Sequence, residues 1–221
     1  MDHLMKTVKS RILHAAMRLF AEKGSMQISI SDLAKEAGLS RGTIYNNVEN
    51  TDELFSMACD AVYVEMRESV RASSDGMHDP AARLSVIINQ VIRRVHEETD
   101  WGRFVALFAM SDPRLGRFWG RDPAVYLLQG LETGRFEFER EQIHSITGMA
   151  GGAVFGAMSL VLNGVCTWRQ SGSDTAELIL RAVGVDRAEA RSLATIHYAP
   201  LPRVDFSSVG QAGAIRDKIP S

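Results

Sequence analysis

The stretch Ser29–Phe55, SISDLAKEAGLSRGTIYNNVENTDELF, decides the fold of this 221-residue chain. Ser29, with Asp32 three residues on, and Ser40 precede apolar residues with helical spacing, which is where helix N-caps stand. Between the two predicted helices, Gly38 offers the left-handed backbone that a tight turn requires. Two short helices joined in this way predict a helix-turn-helix.

The second helix of the pair carries side chains that suit the major groove of DNA. These residues are Arg41, Gly42, Thr43, Tyr45, Asn46 and Asn47. Arginine can donate to guanine, asparagine can pair with adenine, and a threonine methyl can contact thymine. Tyr45 and hydroxyls at helix N-termini, such as that of Ser40, can hold phosphates. Two alternatives remain, with Tyr45 as an aromatic residue at the edge of the core and Arg41 as a solvated cation.

The charge of the chain indicates that any contact with DNA is local. The formal net charge is -2, so the chain does not coat nucleic acid by bulk charge. Residues 1–50, however, carry 7 Lys and Arg against 5 acidic residues. This surplus allows a positive face on the first three helices.

Helical spacing continues through the rest of the chain and predicts about nine helices and no sheet. The turn-rich segment Ser73–Pro80 marks a domain boundary. We therefore expect an all-α protein with a three-helix helix-turn-helix domain and its connecting helix at 1–72, and a larger helical domain at 73–200. An irregular tail is expected at 201–221.

The block around the helix-turn-helix resembles the DNA-binding domain of TetR-family transcriptional regulators. The resemblance begins with LFAEKG at Leu19–Gly24 and runs through ISDLAKEAGLSRGTIYNNV to DELF. It covers about residues 6–71. Gly130–Glu139, GLETGRFEFE, and Leu178–Ala194, LILRAVGVDRAEARSLA, are also similar to that family. The resemblance implies a homodimeric, ligand-responsive DNA-binding regulator, expected to be a repressor released from a pseudo-palindromic operator by a small, mostly apolar molecule.

The resemblance also implies roles for single residues of the helix-turn-helix. Arg41, Gly42 and Thr43 match positions that approach base edges, while Tyr45, Asn46 and Asn47 match positions that mix base and phosphate contacts. Ser29 and Ser31 match phosphate contacts at the start of the second helix. Thr51 stands where the family usually has lysine, and its hydroxyl can still bind a phosphate.

An effector pocket is implied inside the larger helical domain. Its candidate lining residues are Trp101, Phe104, Phe108, Met110, Phe118, Trp119, Tyr126, Met149, Phe155 and Met158. Methionine and aromatic side chains make adaptable apolar walls. The alternative is that most of them belong to the ordinary core.

A long uncharged stretch, Gln142–Trp168, predicts one helix from about Arg140 to Trp168, with the next opening at Ser173 or Asp174. We expect these two helices to form a four-helix dimer interface with their copies in a second subunit. The predicted contacts are Gly148, Gly152 and Gly156 on the first helix and Ala176, Ile179, Leu180 and Val183 on the second. Two alternatives are a glycine edge packed inside its own subunit and a single membrane span.

No catalytic motif supports an enzyme. The six histidines lack metal-binding spacing, and neither a nucleophile elbow nor a phosphate-binding loop occurs. We expect no cofactor, no metal and no enzymatic activity, the rival being a helical enzyme or small-molecule carrier with an incidental helix-turn-helix. Two cysteines without CxxC spacing favour a reducing compartment and a cytoplasmic protein.

Overall fold

A computed structural model describes residues 8–48 and 51–201, apart from the side chains of Thr51 and Asp52. This part of the chain is helical throughout and contains no strand, which confirms the all-α prediction. The helices are α1 (Val8–Lys23), α2 (Ile30–Ala37), α3 (Arg41–Tyr45), α4 (Thr51–Ser73), α5 (Pro80–Glu97), α6 (Thr99–Phe108), α7 (Pro113–Gly120), α8 (Asp122–Glu132), α9 (Ile143–Leu162), α10 (Trp168–Ala182) and α11 (Arg187–Ala194), with a 3₁₀ turn at Arg140–Gln142 before α9.

The described residues fall into two compact units. The division lies within α4, between Glu68 and Ser69, shortly before the boundary predicted after residue 72. Residues 202–221, which hold most of the predicted tail, lie outside the described residues.

The first unit packs α1 to α3 and the start of α4 around one apolar core. Phe20 and Phe55 meet edge to face with ring centroids 5.2 Å apart. Leu33, Ile44 and Leu54 are each 0% exposed. These five side chains come from all four helices of the unit. The core therefore fixes α2 and α3 against α1.

The second unit is organised around α5, which packs against α6 and α8 to α11. The largest fully buried side chains of this unit are Trp101, Phe104, Ile92, Leu127, Met158 and Leu180. Because residues on most of the circumference of α5 are buried, with Ser85, Gln90 and Arg94 among them, this helix forms the centre of the helical unit rather than its surface.

The third helix is shorter than the predicted Arg41–Val48, since it ends at Tyr45. Asn47 donates its side-chain amide to the carbonyl of Thr43, 2.8 Å away. Such a side-chain bond competes with continuation of the helix. Val48 nevertheless remains buried in the core.

The predicted single helix Arg140–Trp168 is wrong at its C-terminal end. α9 stops at Leu162, and Gly164 follows with φ +69° in the left-handed region. α10 then begins at Trp168, not at Ser173 or Asp174, because the Thr167 hydroxyl accepts from the Gln170 N–H. The absence of charged residues from this stretch therefore does not show that it forms one continuous helix.

An ion-pair cluster ties the start of α5 to α11. Arg135 donates from Nε to Asp79 Oδ1 at 2.8 Å and from Nη2 to Glu189 Oε1 at 2.6 Å. Burial alone raises the pKa of Asp79, but the bonds from Arg135 and from the Ala81 N–H outweigh it and hold that pKa below its ordinary value.

Removing this cluster is expected to destabilise the chain in a pH-dependent way. A carboxyl whose pKa is lowered by folding stabilises the fold above its unfolded value of about 3.9, and this contribution is lost as the pH falls below it. Arg135→Gln should lower the free energy of unfolding by about 0.5–1 kcal/mol at pH 7, since the pair is partly exposed. Urea titrations should show that the difference in the free energy of unfolding between Arg135→Gln and wild type shrinks from pH 5 towards pH 3. Arg140→Gln is the matched control, because its pair with Glu132 is exposed, and an equally large effect there would contradict the assignment.

Candidate DNA-reading surface and effector unit

Two serine caps set the geometry of the helix-turn-helix. The Ser29 hydroxyl accepts from the Asp32 N–H at 3.1 Å, and the Ser40 hydroxyl accepts from the Thr43 N–H at 3.0 Å. Each cap satisfies a backbone donor at the start of a helix. α2 and α3 therefore begin at defined residues.

The turn between α2 and α3 is held by a residue that sequence reasoning assigned only to the positive face. Gly38 has φ +62°, and an added Cβ would lie 3.1 Å from Arg11 Nη2. Arg11 donates from that nitrogen to the carbonyls of Ala37, at 2.7 Å, and Gly38, at 2.9 Å. A cation at the C-terminus of a helix also suits the helix dipole. Arg11 therefore positions the reading head.

Four predicted reading side chains are exposed to solvent, namely Arg41, Tyr45, Asn46 and Asn47. Tyr45 is 66% exposed, so its alternative assignment to the edge of the core is wrong. Thr43 is half-buried with its hydroxyl 2.9 Å from the Ser40 hydroxyl, and the Asn47 amide is already bonded within the helix.

The remaining predicted contacts differ in what the structure describes. Gly42 in α3 and Ser31 in the first turn of α2 are exposed. Thr51 begins α4, but its side chain lies outside the described residues. Arg41 and Tyr45 of α3, and Asn46 directly after it, are exposed side chains for which no bond within the described residues is found.

Ion pairs absorb part of the predicted positive face. Arg18 pairs with Glu36 at 2.8 Å and Lys23 pairs with Asp32 at 2.6 Å, both between α1 and α2. Lys23, and after it Ser29, hold the pKa of Asp32 below its ordinary value. These cations fasten α2 to α1, which leaves less of the charge surplus for phosphates.

The predicted pocket residues of the second unit divide into three groups. Trp101, Phe104, Phe108, Trp119 and Met158 are buried, while Phe118, Tyr126 and Phe155 are half-buried. Met110 and Met149 are 87% and 44% exposed, so they are wrong as pocket walls. Met110 follows the end of α6 on a turn, and Met149 lies on the outer face of α9.

Several of these rings pack directly on one another. The centroids of Trp119 and Phe155 are 5.1 Å apart, and those of Phe118 and Trp119 are 4.9 Å apart. Phe104 and Phe108 approach to 5.2 Å. Contacts of this kind are those of a packed core, which supports the alternative given for these residues.

Trp101 differs from the other buried aromatic residues. It is 1% exposed, yet its indole N–H has no hydrogen-bond partner among the described residues. The guanidinium carbon of Arg94 lies 4.5 Å from its ring centroid, and Arg94 pairs with Glu98 at 3.4 Å. Leaving a buried donor unsatisfied costs about 1–3 kcal/mol. The indole N–H is therefore a place where an added acceptor would be favourable.

The glycine edge of α9 is exposed. Gly148, Gly152 and Gly156 each have open space where a Cβ would stand, so the alternative that they pack inside their own subunit is wrong. The close intrachain approach falls instead to Gly151, whose Cβ would meet the Trp119 carbonyl oxygen at 2.8 Å. The outer face of α9 also exposes Met149, at 44%.

The α10 half of the predicted interface is wrong. Ala176, Ile179, Leu180 and Val183 are at most 2% exposed, because this stripe is buried inside its own chain. Leu178 is 61% exposed and is the large apolar side chain that α10 leaves outside. A stripe of apolar residues shows that one face is buried, but not against which partner.

Residues Arg140–Leu162 form the one segment of the described chain that is long and apolar enough to cross a membrane, by length and composition alone. The most apolar 18 residues of this segment have a mean hydropathy of 1.6, and 33% of them are buried. One such helix is weak evidence for a membrane span.

A capped helix-turn-helix followed by a larger helical unit is the architecture of one class of bacterial regulatory proteins. Residues 12–57 match the family described as bacterial regulatory proteins, tetR family, and residues 79–196 match the family described as tetracyclin repressor-like, C-terminal domain. The chain therefore belongs to the TetR family.

The curated proteins that this chain matches in sequence are helix-turn-helix transcriptional regulators. MT1294 of Mycobacterium tuberculosis is 28% identical over 106 residues, which is 48% of this chain and 51% of the relative. TtgR of Pseudomonas putida is 30% identical over 88 residues, which is 39% of this chain and 42% of the relative. The chain thus spans about half or less of the length of these relatives.

Solved structures match over a larger part of the chain. RolR in complex with resorcinol is 26% identical, with a TM-score of 0.66, covering 88% of this chain and 96% of that one. The fatty acid degradation regulator FadR from Bacillus halodurans is 17% identical, with a TM-score of 0.69, covering 81% and 98%. The second likeness concerns the fold alone.

Proposed function

We propose that this chain is a ligand-responsive, sequence-specific regulator that represses transcription as a homodimer in the cytoplasm. The observation that carries the proposal is the exposed surface of α3, where Arg41, Tyr45 and the following Asn46 stand in solvent on a helix whose start is capped by Ser40. Arg41 and Asn46 would read base edges, and Tyr45 would hold a phosphate.

The outer face of α9 supports a second copy as the partner. Only 33% of the most apolar part of this segment is buried within its own chain. The exposed glycines Gly148, Gly152 and Gly156 lower the helix propensity of α9, but they allow another helix to approach closely. A symmetric dimer through this face would give two reading heads for two half-sites.

α4 offers the connection between effector and DNA. It is one uninterrupted helix from Thr51 to Ser73, and the division between the units falls inside it. An effector that binds one conformation of the second unit better would shift the position of α4 and with it the separation of the reading heads. The shift in DNA affinity is limited by the ratio of effector affinities for the two states.

The effector is expected to be a small, mostly apolar molecule with at least one hydrogen-bond acceptor. RolR, whose fold and sequence are similar, binds resorcinol in its crystal structure. In this chain the indole N–H of Trp101 is buried and unsatisfied among the described residues, beside the Arg94 guanidinium. A ligand hydroxyl oxygen could accept from it.

The experiment that tests the proposal measures operator release. DNA flanking the gene of this chain is titrated with the protein at fixed salt, and resorcinol is then added. We expect specific binding that resorcinol weakens, and a weaker resorcinol response in Trp101→Phe, which keeps a ring but removes the N–H. Without resorcinol, Trp101→Phe should bind the DNA as wild type does, which is the control for its fold. A compound that stabilises the protein without ever altering DNA binding would contradict the coupling.

A further inference from the structure

A cavity of about 220 Å³ opens in the second unit between α5, the start of α10 and the segment that follows α11. Its lining contains none of the residues predicted for the effector pocket. The cavity is smaller than the pockets of drug-sized ligands, so a molecule with a single ring is the size to consider.

One wall of the cavity is the end of α11 and the segment after it, which polar side chains of α5 hold in place. The bonds run from Ser85 to the Leu193 carbonyl at 3.0 Å, from Asn89 to the Ala194 carbonyl at 3.2 Å, and from Arg93 to the Tyr198 carbonyl at 3.0 Å. Gln90 also donates to the carbonyl of Ala199. The three donors spaced by four residues share one face of α5. This wall is therefore built by specific contacts.

The charge of the lining has one sign. It includes two arginines and a histidine, Arg93, Arg169 and His197, and no carboxylate. The guanidinium carbons of Arg93 and Arg169 each lie 5.0 Å from the Trp168 ring centroid. A site of this composition favours an anion with an apolar body.

The two arginines differ in what they have left to offer. Arg93 already donates to Glu97 at 2.7 Å and to the Tyr198 carbonyl. Arg169 is exposed and makes no hydrogen bond or ion pair within residues 8–48 and 51–201. A guanidinium presents paired donors that match a carboxylate or a phosphate. Arg169 is thus the group available to a ligand.

We propose that this cavity binds a small organic anion, with its carboxylate or phosphate on Arg169 and its apolar body against Trp168 and Ile196. Such a site would be separate from the effector pocket near Trp101. It does not depend on the proposed regulatory function, since binding can be measured without DNA.

Calorimetric titration of the full chain with benzoate, phenyl phosphate and benzyl alcohol tests the site. We expect at least one of the two anions to bind about tenfold or more tightly than the neutral alcohol, and Arg169→Gln to weaken that anion about tenfold or more. Preference for benzoate would identify a planar carboxylate as the ligand group, and preference for phenyl phosphate a phosphate.

Arg103→Gln is the matched control, because Arg103 is an exposed arginine of the same unit that does not line the cavity. Its affinities should equal those of wild type. Circular dichroism should show both variants folded, since both side chains are exposed. Equal binding of all three probes, or an unchanged anion affinity in Arg169→Gln, would overturn the proposal.

Discussion

Gly152→Leu is expected to convert the proposed dimer to a monomer and to lower operator affinity by about 100-fold or more, because two linked half-site contacts become one. A Cβ at Gly152 meets open space within its own chain, so the substitution does not strain the monomer. Replacing a helical glycine should instead favour the helix by about 1 kcal/mol. Sedimentation analysis at micromolar concentration measures the assembly, and thermal unfolding measures the fold.

Gly120→Leu is the control for this variant. Gly120 is also an exposed helical glycine with open space around a Cβ, but it lies on α7. It should leave the dimer intact. An intact dimer in Gly152→Leu would contradict the α9 interface. Ile179→Asp does not serve the same purpose, because Ile179 is 2% exposed and a buried charge there should unfold the chain.

Arg41→Ala is expected to weaken binding to the true operator by about 1–3 kcal/mol and to relax the preference at one base pair. Arg41 is exposed at the start of α3, so its removal should not affect the fold. Tyr45→Phe, by contrast, should weaken binding to all sequences alike, because a phosphate contact carries no base information. Anisotropy titrations on the operator and on single-base variants measure both effects.

Lys35→Ala separates base reading from bulk charge. Lys35 is an exposed cation near the end of α2, and its loss should weaken binding to all sequences equally and reduce the salt dependence, without changing the base preference. If Arg41→Ala likewise changes the affinity for all sequences equally and leaves the base preference unchanged, Arg41 is a solvated cation. Its assignment to the groove is then wrong.

The helix-turn-helix could be predicted from sequence because its signals are local. Ser29 and Ser40 cap helices through bonds to residues three positions on, and Gly38 adopts the positive φ that its place in the turn requires. The role of Arg11 could not be predicted, since its bonds reach 26 and 27 residues along the chain. No local pattern distinguishes such a cation from one that binds phosphate.

The second unit was harder to predict because helical spacing does not identify the partner of a face. The stripe of Ala176 and Ile179 is apolar because α10 packs against α5 inside the chain. The glycines of α9 carry no pattern that separates an outer edge from an inner one, and only their open surroundings do so. The polar face of α5 at Ser85, Asn89 and Arg93 was a usable signal, since three polar residues at spacing four interrupt an apolar helix.

The most direct test of the regulator is its stoichiometry and specificity on DNA from beside its own gene. A duplex with the inverted repeat that is expected there, and a second duplex with one half-site scrambled, are titrated with the full chain at one salt concentration in the analytical ultracentrifuge. The account predicts two chains per intact duplex and an affinity about 1,000-fold or more above that for unrelated DNA, with a large loss on the scrambled duplex. Equal affinity for both duplexes, or one chain per duplex, would contradict a dimeric sequence-specific regulator.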